Sequence, residues 1–168
     1  MNTTSRVLIA LSIALALGAC KKKTDVVEQQ VSDGTPVSTT PVDDGRYDAA
    51  DLDTDSCLRQ RTVYFDFDQD TLRPEFQAIM ACHAKYLQDQ PGSRVTLEGN
   101  ADERGTREYN LGLGERRGNA VSGALQGAGG SASQITVVSY GEERPTCADS
   151  DESCWSKNRR VEIVYTTR

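Results

Sequence analysis

The stretch Gly99-Asn100-Ala101-Asp102-Glu103-Arg104-Gly105-Thr106-Arg107-Glu108-Tyr109-Asn110-Leu111-Gly112-Leu113-Gly114-Glu115-Arg116-Arg117 constrains this chain more than any other. It follows Arg94-Val95-Thr96-Leu97-Glu98, whose alternation reads as a strand, crosses a Gly-flanked loop and enters a helix. The loop presents Asp102. Arg116 and Arg117 follow, the latter fifteen residues on, where the helix is beginning. An acid and a guanidinium brought together can hold the ammonium and the carboxylate of a free amino-acid centre. That is recognition, and it requires no catalysis. A structural ion pair between Asp102 and Arg117 stays open beside it, because such pairs form without any ligand.

The surrounding elements are legible from periodicity. Val63-Tyr64-Phe65-Asp66-Phe67 is β-branched and aromatic and reads as a strand. Pro74 suits the first turn of a helix that runs to about Asp89, with Phe76, Met80, His83 and Leu87 on one face and Ile79 beside them. Pro91-Gly92 ends it. Tyr109 to Gln126 is mainly helical, with Leu113, Ala120, Val121, Ala124 and Leu125 as its buried side. Gly112, Gly114, Gly118 and Gly123 each cost ~1 kcal/mol relative to Ala, so this helix must draw on packing. Ile135-Thr136-Val137-Val138-Ser139-Tyr140 and Arg160-Val161-Glu162-Ile163-Val164-Tyr165 are two further strands. The order β-α-β-α-β-β implies an α+β domain, a mixed sheet with both helices on one face.

The N-terminus reads as an export leader over 1–19. Arg6 supplies its positive charge, and Val7 to Leu17 is an apolar run too short to remain as a spanning helix. It ends in Leu17-Gly18-Ala19-Cys20, and small residues before a Cys resemble the bacterial lipobox. That resemblance implies lipidation at Cys20 and an anchored chain. In the Gram-negative lipoproteins that this leader resembles, Asp after the Cys favours inner-membrane retention; Lys21 stands there, so the resemblance implies the outer membrane. Residues 20–55 read as a polar, disordered tether, unable to bury enough surface to offset its ordering entropy. Fully extended, roughly 35 residues reach about 110–120 Å. The folded domain is expected over 56–168.

Four further cysteines remain in this exported chain, Cys57, Cys82, Cys147 and Cys154, and an even number suggests disulfides. Of three possible connectivities we favour Cys147–Cys154, which closes a short polar loop, and Cys57–Cys82, which ties the start of the domain to its first helix. Zinc is disfavoured by the lack of any CxxC pair and by a single histidine, His83. A net charge of −6 over 168 residues argues against nucleic acid as a partner.

Residues 62–165 resemble the OmpA-like peptidoglycan-binding domains, and among them the peptidoglycan-associated lipoproteins. The matching pieces are Val63-Tyr64-Phe65-Asp66-Phe67-Asp68, Glu98 to Thr106, Glu108-Tyr109-Asn110, Leu113-Gly114-Glu115-Arg116-Arg117, Val138 to Pro145, and Ser156-Lys157-Asn158-Arg159-Arg160-Val161-Glu162. The resemblance implies a ligand in peptidoglycan, the meso-diaminopimelate side chain of the stem peptide. Asp102 would take the ammonium and Arg117 the carboxylate, with Leu113 as a wall and main-chain N–H groups around Phe67 and Asp68 as further donors. It also implies a periplasmic partner, the β-propeller TolB, competing with the wall for one surface, and a place in the Tol system at cell division. It implies no cofactor. Many such domains carry Ser where Gly114 stands, and its loss here removes a possible helix-capping hydroxyl.

Other features have plainer readings. Asp66-Phe67-Asp68-Gln69-Asp70 looks like a calcium loop, but Thr71 and Gln77 stand where an EF-hand needs Gly and Glu. His83 lies on an apolar helix face and reads as a satisfied core histidine. Arg104 and Arg116 read as solvated or supporting charges. A wall hydrolase would need a nucleophile with a base or an activated water, and one helix-borne histidine offers no Ser-His or Cys-His pairing. Two-carboxylate chemistry from Asp66, Asp68, Asp102 or Glu103 stays open on sequence alone.

Overall fold

The computed structural model describes residues 45–167. The leader, Cys20 and most of the expected tether lie outside them. The elements are α1 (Asp51–Thr54), β1 (Thr62–Tyr64), a 3-10 turn (Pro74–Phe76), α2 (Gln77–Asp89), β2 (Arg94–Asn100), α3 (Arg107–Gly127), a second 3-10 turn (Ala132–Gln134), β3 (Ile135–Gly141), α4 (Glu152–Asn158) and β4 (Arg160–Thr167).

Four strands form one sheet in the order β1-β4-β2-β3. β2 and β3 run parallel, which requires a crossover, and α3 supplies it. β4 pairs antiparallel with β1 and with β2. The register sets Leu97 opposite both Val137 and Ile163, and Val63 opposite Val161. Val63, Val95, Leu97, Val161 and Ile163 thus share one buried cluster with Ile79, Met80, Ala84 and Leu87 of α2 and Val121 and Leu125 of α3. Both long helices cover the same face, the α+β arrangement expected.

Boundaries differ from expectation where tertiary contacts override pattern. β1 stops at Tyr64 and the chain turns through Asp68, whose φ of +57° is left-handed. Phe67 therefore leaves the strand and stands 55% exposed. Arg73, before Pro74, is extended, and the first turn of the helix is 3-10. α3 begins at Arg107, where the Thr106 side chain accepts from Tyr109 N at 3.2 Å. Arg117 consequently lies well inside the helix and not at its beginning. Gly114 lies inside it too, so the expected loss of a capping hydroxyl does not apply.

The tether ends earlier than its composition suggests. Tyr47 N donates to Asp89 Oδ2 at 2.8 Å, and Leu52 is fully buried with Leu58 and Tyr86. One leucine on a single helical turn, with the Tyr47 bonds to Asp89 and Gln90, docks this segment on α2 and on the chain just after it. The structure forms both favoured disulfides, Cys57–Cys82 and Cys147–Cys154. The second bridges into α4, an element the polar composition of that loop did not reveal. Asp151 caps α4 by accepting from Cys154 N at 3.1 Å. Among the described residues, no helix is long and apolar enough to cross a membrane.

Candidate functional site

The loop from β2 to α3, the turn after β1 and the first turns of α3 enclose a cavity of about 220 Å³. Its lining includes Phe67, Asp68, Asp102, Leu113 and Arg117, all five residues singled out from sequence. Arg104, Gly105, Tyr109 and Asn110 complete it.

Arg117 is wholly buried and reaches from α3 to three main-chain carbonyls. Nε donates to Gln69 O at 2.8 Å, Nη1 to Asn100 O at 2.9 Å and Nη2 to Asp66 O at 3.1 Å. A guanidinium has five N–H groups, so one on each terminal nitrogen has no acceptor among the described residues. Burial lowers its pKa to about 10, against the opposing pull of the Asp102 charge, and it stays cationic at neutral pH.

Asp102 is 3% exposed. It does not bond Arg117. Its oxygens accept instead from Arg104 and from Arg159. Burial pushes its carboxyl up, but hydrogen bonds from Arg104 and Arg159 outweigh that and hold it below the usual carboxylate range. The structural Asp102–Arg117 pair left open by the sequence is therefore absent as a direct contact. The two buried charges of opposite sign face one cavity separately.

Leu113, 5% exposed, is the apolar wall. Among the described residues no acceptor engages the main-chain N–H groups of Phe67 and Asp68. The turn that presents them is held at two points. Arg117 binds the carbonyls on either side of it, and the Tyr109 hydroxyl donates to Asp68 Oδ1. Asn110 donates through Nδ2 to Asp102 O at 3.1 Å and also to Glu142, fixing the acidic loop against β3's end.

Arg104 is a supporting charge, as expected, though a closely held one. Its guanidinium lies 4.0 Å from the Phe67 ring centroid and 4.1 Å from that of Trp155. Arg116 pairs at the surface with Asp70 at 3.0 Å. Arg159 and Trp155 carry parts of the site that sequence reasoning did not assign. Arg159 stood within a matched motif, and that motif was its one available signal.

The carboxylates of Asp66, Asp68 and Asp70 do not converge on a cation. They go to Arg73, Tyr109 and Arg116 respectively. His83 lies away from the cavity, fully buried. Nε2 is 3.1 Å from Gln60 O, which only accepts, so Nε2 carries the proton and Nδ1 accepts from the Tyr165 hydroxyl at 2.8 Å. Burial lowers its pKa to about 4.

The model of the OmpA family matches residues 64–159. The peptidoglycan-associated lipoprotein of Haemophilus influenzae is 47% identical over 121 residues, covering 72% of this chain and 76% of its own. That of Pseudomonas aeruginosa is 42% identical over 157 residues, 92% of either chain. Among solved structures, the peptidoglycan-associated lipoprotein of Burkholderia pseudomallei aligns with a TM-score of 0.67 at 43% identity, over 69% of this chain and 98% of that one. The C-terminal domain of Helicobacter pylori MotB aligns with a TM-score of 0.58 at 22% identity, over 63% of this chain and 83% of that one, a likeness of fold alone.

Proposed function

Because the chain belongs to the OmpA family and, within it, to the peptidoglycan-associated lipoproteins, we propose that it is a non-catalytic wall anchor that binds the meso-diaminopimelate stem peptide of peptidoglycan. The observation that supports this is a single cavity lined by a buried carboxylate, Asp102, and a buried guanidinium, Arg117. The free centre of diaminopimelate carries an ammonium and a carboxylate on one carbon. Asp102 takes the first. The two unengaged N–H groups of Arg117 and the main-chain N–H groups of Phe67 and Asp68 take the second. Leu113 packs against the methylene chain. Both charges are already desolvated and fixed by the fold, so binding costs little further ordering.

Binding without turnover fits the chemistry of the lining. Asp102 is held ionised by two arginines and cannot serve as an acid, and His83 is buried elsewhere. Lipid at Cys20 would fix the chain to the inner leaflet of the outer membrane, and the segment up to the packed Tyr47 would span to the wall. A TolB-like periplasmic protein is the proposed second partner. It would compete with the wall for the same surface, in a Tol system acting in envelope integrity and division.

The test is calorimetric titration of the protein with a meso-diaminopimelate stem peptide, beside a lysine stem peptide and the Asp102→Ala and Arg117→Ala proteins. Binding of the first peptide alone, lost in both variants, is expected. No heat with any peptide, from folded protein, sinks the reading.

A further inference from the structure

Asp102 has no acceptor position to spare. An ionised carboxylate offers about four. Oδ1 accepts from the Arg104 main-chain N–H and from Arg104 Nε, each at 3.2 Å. Oδ2 accepts from Arg104 Nη2 at 2.6 Å and from Arg159 Nη1 at 3.2 Å. Three of the four therefore belong to Arg104, and any ligand ammonium must take at least one of them.

The two arginines are not equivalent. The Arg159 side chain is 7% exposed, and it is tied to Phe65 O at 3.1 Å and to Glu152. It is part of the frame. The Arg104 side chain is 30% exposed, and it lines the cavity. Its guanidinium has alternative company at hand in the Phe67 and Trp155 rings, with Glu152 Oε2 3.5 Å from Nη2. Gly105, the next residue, has a φ of +119°, so the backbone here sits where a side chain would be strained.

We propose that Arg104 is the resident cation of the pocket: its guanidinium holds, on Asp102, the place that a ligand ammonium takes, and it leaves when the ligand binds. This rests on the recognition proposed above. Binding is then an exchange of cations on one buried carboxylate, and the displaced guanidinium keeps its stack and its Glu152 contact. The exchange sets selectivity. A lone ammonium, such as a lysine side chain, replaces the Arg104 bonds with its own to Asp102 but brings no carboxylate to pair with Arg117 or with the released Arg104. A centre bearing both ammonium and carboxylate offsets the lost Arg104 bonds, because its carboxylate pairs with Arg117 and with the released Arg104. Arg104 is thus a specificity-determining residue that penalises lysine-type stems.

The experiment compares wild type with Arg104→Gln, which removes the guanidinium and its charge and leaves a shorter, neutral side chain. Each is titrated with diaminopimelate and lysine stem peptides. The ratio of the two affinities is expected to fall at least about tenfold in the variant, through a gain for the lysine peptide, as loss of one charge-assisted competitor allows. A ratio that holds or rises overturns the proposal. Wild type binding neither peptide removes the underlying recognition and this proposal with it, whereas wild type binding diaminopimelate with an unchanged ratio removes this proposal alone. A second readout does not depend on the variant. At saturation with the diaminopimelate peptide, the Arg104 Nε–H resonance of wild type should shift and exchange with water while that of Arg159 stays protected. An Arg104 signal that keeps its protection overturns the exchange.

Discussion

Gly99 of β2 and Gly114 of α3 meet backbone to backbone, so closely that a Cβ on Gly99 would lie 1.9 Å from the Gly114 carbonyl oxygen. A Cβ on Gly114 would meet Ser139 Oγ at 2.3 Å and Gly99 O at 2.9 Å. The contact seats the helix on the strand one turn before Arg117. Gly99→Ala must lift α3 off the sheet, since the obstacle is main chain, and should cost about 3 kcal/mol. Gly114→Ser should cost about 2 kcal/mol, because Ser139 Oγ can turn away only by giving up its bond to Leu111 O, one comparable in worth to a typical buried hydrogen bond. Urea midpoints at constant slope measure both. Both variants should also bind the stem peptide less well, by misplacing Arg117.

Arg117 is a structural residue as much as a binding one. Its three bonds hold the carbonyls of Asp66, Gln69 and Asn100, joining the turn after β1 to the end of β2. Arg117→Met removes the cation and leaves those carbonyls without their donor. At about 1 kcal/mol each, the loss should be about 3 kcal/mol of stability. Hydrogen exchange should quicken first in the 66–69 turn. A variant that loses peptide binding with its urea midpoint and exchange pattern unchanged would show this structural account to be wrong.

Period-two alternation made β2 and β4 readable, because Val95, Leu97, Val161 and Ile163 all face one covered side. Composition misled at β1, where β-branched and aromatic residues continue to Phe67. Val63 and Phe65 are buried and Tyr64 is not, yet the strand itself stops at Tyr64 and Phe67 is exposed. What ends it is Arg117, fifty-one positions away, taking Asp66 O. Asp102 and Arg117 were visible as an acid in a Gly-flanked loop and an arginine on the helix that follows it, in a stretch that matches the family. Arg159 was not assigned a role, because nothing in its local sequence pairs it with an acid or places it at the loop, yet it is 5% exposed. Its partner Asp102 is fifty-seven residues distant. The helix α1 buries one leucine, and α4 buries one cysteine and one asparagine, too little apolar surface to form a periodic signature.

His83 should give stability a pH dependence in a defined window. Its folded pKa is about 4, lowered from 6.5 chiefly by burial. Between those values the unfolded chain binds a proton that the folded chain refuses, so stability is complete above about 6.5 and declines as pH falls towards 4. The full loss is about 3 kcal/mol. Asp102, held below the ordinary carboxylate range, contributes only at lower pH, where its loss adds to the same decline. Urea midpoints from pH 7 to 4 should therefore drop in wild type, and the slope should be largely removed in His83→Gln. An equal slope in the variant would assign the decline to other groups.

The two disulfides should separate stability from binding. Cys57–Cys82 spans 25 residues and Cys147–Cys154 spans 7. Loop-closure entropy assigns about 3.5 kcal/mol to the first and about 2.4 kcal/mol to the second. Their positions reverse the order for function. Cys57 and Cys82 join the start of the domain to α2, and neither that segment nor α2 lines the cavity. Cys154 belongs to α4, which carries Glu152 and Trp155 and leads into Arg159, and all three hold Arg104 or Asp102 in place. Asn158 further ties α4 to the loop by bonding both the N–H and the carbonyl of Cys147. The Cys57→Ser/Cys82→Ser protein should lose more in urea and keep its affinity for the stem peptide. The Cys147→Ser/Cys154→Ser protein should lose less in urea but bind several-fold more weakly, or with poorer discrimination against lysine, because the wall behind Asp102 is looser. Equal binding by the two double variants would show that α4 holds its position through Asn158 and the Asp151 cap without the covalent link.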